Sequence, residues 1–218
     1  MALKIWNDSP LSVPTVFLHS FSGNGENIWQ TCHNLGCPAF NLVSIYDLDF
    51  DAVLTPWITD GVRKGQRPFG GKAESHLKQI CQKYIKEVDE QLPAPSSYLA
   101  LAGYSLAGLF AVWASIQNTP FRRFASVSGS LWYPGFTDYI QNNHPQQQPE
   151  FFYFSLGDKE CRTKHPLMAR INETTEAIYH YIQESGVVSC FEMNPGNHFT
   201  EPHLRMAKAI RWLLNQQK

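Results

Sequence analysis

The chain of 218 residues is 43% hydrophobic and 13% aromatic, enough to bury a core without disulfide or metal staples. A formal net charge of −1 leaves no basic surface for nucleic acid or anionic lipid, which excludes binding by bulk electrostatics. The five cysteines, odd in number and without a Cys-x-x-Cys pair, predict a reduced cytoplasmic protein with incidental thiols.

Met1–Pro14 has no basic start followed by an apolar run, so no secretory signal is expected, and no apolar stretch nears membrane-spanning length. Thr15–His19 is a short apolar, β-branched run, a first strand that ends in the turn-rich Ser20–Asn27. Cys32 and Cys37 flank His33, but no second ligand pair at suitable spacing follows, so no metal site is expected. Phe40–Tyr46 reads as a second strand. In Glu74–Leu92, Leu77, Ile80, Tyr84, Ile85 and Val88 recur at three-to-four spacing, a helix ended by Pro93. Tyr98–Ala102 is a strand running into Gly103, and Leu106–Gln117 a helix closed by Pro120. Phe124–Val127 and Phe151–Leu156 are further strands, with the Gln146–Gln148 tract in a Pro- and Gln-rich loop between them. A helix within Pro166–Glu184, a strand Val187–Met193 and a helix Pro202–Leu214 complete the chain. Apolar strands without strict alternation, separated by amphipathic helices, imply parallel strands covered on both faces. The expectation is one α/β domain over residues 1–218, a doubly wound, mostly parallel sheet with its chemistry beyond the carboxyl ends of the strands.

Polar clusters fall at those ends. Gly103-Tyr104-Ser105-Leu106-Ala107-Gly108 follows a strand and opens a helix, the setting of a nucleophile elbow in which a tight turn lifts the serine above the sheet. Ala107 stands where the strict G-x-S-x-G pattern has its second glycine. The competing reading of Ser105 is a helix N-cap. A serine needs a neighbouring imidazole to take its proton. Of the eight histidines, His198 lies in the Asn194–Phe199 turn after the last strand, beside the elbow. His203 sits within a helical pattern, His144 and His165 in polar loops, His180 on a helix, and His19 at a strand end, where it can shape the following loop. The third member should follow the penultimate strand, where both Asp158 and Glu160 stand. Spacing from the strand-ending Gly157 favours Glu160, with Asp158 the alternative. Leu106 N–H, at the helix start, and Phe21 N–H, in the loop His19–Gly25, are the candidate oxyanion donors. That loop lacks the spacing of a phosphate cradle or a dinucleotide fingerprint. Two aromatic clusters, Trp57 with Phe69 and Trp132, Tyr133 with Phe136, are either pocket walls or core plugs. No insertion between the late strands is long enough for a large cap domain.

The elbow, the Ser-Gly-Ser-Leu-Trp-Tyr segment (Ser128–Tyr133), Leu-Gly-Asp-Lys-Glu (Leu156–Glu160) and Gly-Asn-His-Phe (Gly196–Phe199) resemble the putative esterase family of the α/β-hydrolase superfamily. That family includes esterase-D-like and enterochelin esterases. The resemblance spans roughly residues 15 to 214 and implies a carboxylesterase that acts on a small-molecule acyl ester without metal or cofactor. By position it makes Ser105 the nucleophile, His198 the base and Glu160 the acid. Two other readings stay open from sequence: an acyltransferase using the same residues, and a hydrolase fold that only binds. Neither substrate nor oligomeric state is legible.

Overall fold

The computed structural model describes residues 1–62, 65–145 and 147–217. Gln146 of the glutamine tract, and Arg63 and Lys64 of the loop after residue 51, lie outside the described residues. Within them the strands are β1 (Ala2–Trp6), β2 (Thr15–His19), β3 (Asn41–Tyr46), β4 (Ile58–Thr59), β5 (Phe69–Gly70), β6 (Leu99–Tyr104), β7 (Phe121–Val127), β8 (Phe151–Gly157) and β9 (Val188–Asn194). The α-helices are α1 (Glu26–Asn34), α2 (Phe50–Val53), α3 (Ala73–Gln79), α4 (Ile85–Asp89), α5 (Leu106–Ser115), α6 (Phe136–Asn142), α7 (Pro166–Ala169), α8 (Ile171–Glu184) and α9 (Pro202–Asn215).

Seven strands form one sheet in the order β1-β3-β2-β6-β7-β8-β9, and β4 and β5 pair apart from it as a small hairpin. All neighbours in the main sheet are parallel except β1, which runs antiparallel to β3. Successive strand residues point to opposite faces, and both faces are buried. Phe17, Leu101, Phe124 and Phe152 enter a core with the α5 residues Leu109 and Phe110 and with Ile178 of α8. Val16, Leu18, Ala102, Val127 and Tyr153 face α1 and α9, meeting Trp29, Met206 and Ile210. Covering on two faces is why the strands read as near-continuous apolar runs. This is the doubly wound, mostly parallel sheet of the α/β-hydrolase fold expected from sequence.

Four elements differ in detail from expectation. β1, an edge strand with Lys4 exposed and its other residues half-buried, was not expected. β7 begins at Phe121, earlier than expected, because Arg123 is accommodated in the core: its guanidinium stacks 3.7 Å from the Tyr98 ring centre and donates to the Leu213 carbonyl at 2.6 Å. The helix expected over Glu74–Leu92 is interrupted by a π turn, Ile80–Tyr84, and that within Pro166–Glu184 divides at Arg170 into α7 and α8.

Candidate active site

Ser105 sits between β6 and α5 with φ 59° and ψ −121°, a backbone conformation L-residues seldom adopt. Its side chain makes no capping bond to the helix, so the N-cap reading does not describe it. The turn is held from three sides: Ser105 N–H donates to Val127 O at 3.1 Å, and Ser105 O accepts from Leu109 N–H at 3.1 Å and Ser130 N–H at 3.0 Å. The tightness explains the small residues around it. A Cβ on Gly103 would stand 2.0 Å from Ala107 O, so only glycine fits there. Ala107 itself is buried against the core without displacing the turn, so the methyl that departs from the strict motif is accommodated.

Ser105 Oγ lies 3.1 Å from His198 Nε2, and His198 Nδ1 lies 2.8 Å from Glu160 Oε2. With the Nδ1 proton directed at the carboxylate, Nε2 presents its lone pair to the serine hydroxyl. Glu160 divides its two oxygens. Oε2 serves the imidazole, while Oε1 accepts from Gly157 N–H at 2.6 Å, Ser128 Oγ at 2.7 Å and Arg205 Nη1 at 3.1 Å. Burial raises the Glu160 carboxyl, but its bonds with His198, Ser128 and Gly157 outweigh that and hold it below its ordinary value of 4.5. Asp158, the alternative acid, accepts instead from Gly196 N–H at 2.7 Å and so ties down the turn that carries His198.

Four residues at this centre had no role in the sequence reading. Arg205, from the first turns of α9 and only 2% exposed, bonds Glu160, Ser128 Oγ at 3.2 Å and Pro195 O at 2.9 Å. Its place in an amphipathic helix gave no sign of burial. Ser128 has φ 48° and its N–H donates to Ser155 O, which turns its hydroxyl onto the acid. Ser130 Oγ lies 3.3 Å from Ser105 Oγ. Tyr104 donates its hydroxyl to the His198 carbonyl. Ser128 and Ser130 belong to the Ser-Gly-Ser segment that the sequence singled out without a function, so motif order was the available signal.

On the other flank, β2 and β6 are in parallel register with Leu18 opposite Ala102, so Phe21 and Ser105 each stand three residues beyond that pair. Leu106 opens α5, and its N–H belongs to the helix's first, intrahelically unbonded turn. The Phe21 ring is 86% exposed and meets Phe50 edge-on at 5.3 Å. Phe21, Leu48, Asp49, Phe50, Asp51 and Arg67 line an open groove of about 450 Å³. His19 is buried, its Nε2 2.9 Å from His76 Nε2, and burial pushes the His76 imidazole down to about 4. The pair thus anchors the root of this loop as neutral rings.

The two aromatic clusters prove to be one. Tyr133 OH donates to Trp57 O at 2.6 Å, Trp57 Nε1 donates to Pro134 O at 3.1 Å, and Phe69 packs on Tyr133 at 5.3 Å. Phe69, Tyr133 and Phe136 are buried, so they plug the core beneath the loops and do not wall a pocket; Trp57 and Trp132 are half-buried.

As a sequence the chain matches no family model and no curated protein. As a fold it matches many solved structures. An IroE-like serine hydrolase from Shewanella oneidensis superposes with a TM-score of 0.78, covering 97% of this chain and 75% of that one at 17% identity. The siderophore hydrolase EstB from Aspergillus nidulans gives 0.77, covering 97% and 90% at 17% identity. The enterobactin esterase FES from Shigella flexneri gives 0.69 at 18% identity, covering 97% of this chain but 54% of that longer one. The likeness is one of fold, and it is to the group of proteins that the motifs resemble.

Proposed function

We propose that this chain is a cytoplasmic serine esterase that cleaves a carboxylic ester of a small to medium substrate through an acyl-enzyme, without metal or cofactor. The observation that carries the reading is the chain of contacts Ser105–His198–Glu160, at 3.1 and 2.8 Å, on a strained turn beyond the carboxyl end of β6. Ser105 Oγ attacks the ester carbonyl while His198 Nε2 takes its proton. The N–H groups of Leu106 and Phe21 receive the developing oxyanion. His198 then protonates the departing alcohol, and a water, deprotonated by the same imidazole, releases the acid. Glu160 holds the imidazole in the reactive tautomer and stabilises it when charged. The exposed Phe21 and Phe199 rings stand at the two ends of this machinery, which suits an ester with apolar groups near the scissile bond.

Turnover of p-nitrophenyl acetate and butyrate tests the reading. Ser105→Ala and His198→Ala should each lose about 10⁴-fold or more in kcat/KM with the fold intact. Unchanged turnover in Ser105→Ala would overturn it. Siderophore esters, which the fold neighbours process by name, belong in the same substrate screen, and added alcohol acceptors separate hydrolysis from acyl transfer.

A further inference from the structure

The cysteines, read from sequence as incidental, include one pair that the fold places deliberately. Helix α1 ends in a Schellman motif. Gly36 takes φ 66° and its N–H donates to His33 O at 2.9 Å, while Cys37 N–H donates to Cys32 O at 3.1 Å. In this motif the residues that share the outer hydrogen bond bring their side chains together, usually as an apolar contact. Here those two residues are both cysteines. Both are free thiols; Cys32 is fully buried and Cys37 half-buried. Cys81, Cys161 and Cys190 lie elsewhere in the chain, Cys81 in the π turn, Cys161 in the loop after β8 and Cys190 on β9.

We propose that Cys32 and Cys37 form a redox-active pair, oxidised by peroxide to an intramolecular disulfide that clamps the end of α1. Cys37 is the attacking sulfur. As thiolate it takes the terminal oxygen of hydrogen peroxide, leaving a sulfenic acid and releasing hydroxide, which is neutralised to water by the proton Cys37 gave up. The Cys32 sulfur then attacks the Cys37 sulfur and the sulfenic hydroxyl leaves with the Cys32 proton as a second water. Two thiols and one peroxide thus become one disulfide and two waters. The outer hydrogen bond of the motif draws the two backbone positions together, the arrangement a disulfide needs if the helix end is not to unwind. The surroundings favour this order of events. The hydrogen bond from the buried Cys32 thiol lowers the Cys37 thiol, and the charges of Arg211 and His33 act in the same direction against its partial burial. Arg211 comes from α9, which packs along α1.

The pair lies at the opposite end of α1 from the His19–Gly25 loop, so it does not depend on the esterase reading, and its test needs no substrate. The full chain is treated with graded hydrogen peroxide and digested without reduction for peptide mass mapping. The expected product is a peptide carrying Cys32 and Cys37 in an internal disulfide, lighter by two hydrogens and restored by dithiothreitol, with Cys81, Cys161 and Cys190 still thiols. In Cys32→Ser, where no resolving thiol remains, Cys37 should instead be trapped as a sulfenic acid by dimedone. Oxidation of Cys81 before Cys37, or over-oxidation of Cys37 in the wild type while Cys32 stays a free thiol, would overturn the proposal.

Discussion

On one side of Ser105, the segments after β7, β8 and β9 carry Ser128, Glu160 and His198, which meet through Glu160. Glu160 spends four contacts on His198, Ser128, Gly157 and Arg205, and its side chain is 4% exposed. On the other side, the loops after β2 and β3 offer Phe21, Asp49, Asp51 and Arg67 to an open groove. There the ion pair Arg67–Asp49 joins side chains 81% and 47% exposed, a contact of little energetic weight. In the proposed mechanism the first side is the acid–base half, held by buried hydrogen bonds, and the second is the substrate half, lightly held. Buried networks fix geometry because an unpaired member is costly, while exposed loop residues can change without unfolding the protein. Changes on the first side should therefore strike rate and stability together, and changes on the second should strike substrate choice.

After Ser105 and His198 themselves, the largest expected effect is at Glu160. Glu160→Gln should lower kcat/KM by about 10³-fold and, by leaving Arg205 buried without its counter-charge, cost about 3 kcal/mol in denaturant unfolding. Its pH signature has a definite sign. Because the folded carboxyl titrates below its ordinary 4.5, its stabilising contribution is full above that value and disappears as pH falls through the lower, folded one. The variant should lack that acid-side loss. Equal acid sensitivity in both proteins would count against a charged, paired Glu160.

Next comes Arg205, which acts through Glu160. Arg205→Met should lower kcat/KM by about tenfold, with Arg205→Lys between it and the wild type. Removing the guanidinium leaves the Glu160 charge directed more fully at His198, which stabilises the imidazolium. The acid limb of kcat/KM should thus move to higher pH. A loss of rate with the limb unmoved would mean that Arg205 only fills space.

Phe21→Ala probes the lightly held side. The backbone N–H stays and the lost ring is exposed, so KM for apolar esters should rise about threefold to tenfold, with kcat within about twofold and an unchanged melting temperature. A collapse in kcat instead would place the ring, and not only the loop backbone, in the acid–base half. Ala107→Gly, which completes the strict elbow motif, should do least: turnover within about twofold and roughly 1 kcal/mol less stability from added backbone freedom in α5. A large gain in rate would show that the methyl constrains the elbow.

What the sequence made legible divides along the same line. Ser105 and His198 could be picked out as candidates, and the fold brings them within 3.1 Å, because each sits in a turn directly after a strand, where local pattern and chain order are informative. Glu160 was favoured over Asp158 by spacing alone, since both follow β8 within three residues and only the path of the backbone turns one toward His198 and the other toward Gly196. Arg205 and Arg123 were illegible for a different reason. A cationic side chain in an amphipathic helix or strand reads as surface until a distant carboxylate, carbonyl or ring is brought against it. The aromatic clusters around Trp57 and Tyr133 are separated by more than seventy residues, a pairing that periodicity cannot express. The helix, strand and fold class followed from burial on two faces, whereas the groove depends on loop paths that no local pattern encodes.

The most direct test of the central claim, an activated serine at Ser105, is labelling by a fluorescent fluorophosphonate followed by peptide mapping. The account predicts a single labelled peptide carrying Ser105, strong in wild type, nearly abolished in His198→Ala and absent in Ser105→Ala. Labelling that persists in Ser105→Ala, or none in wild type despite an intact fold, would contradict it.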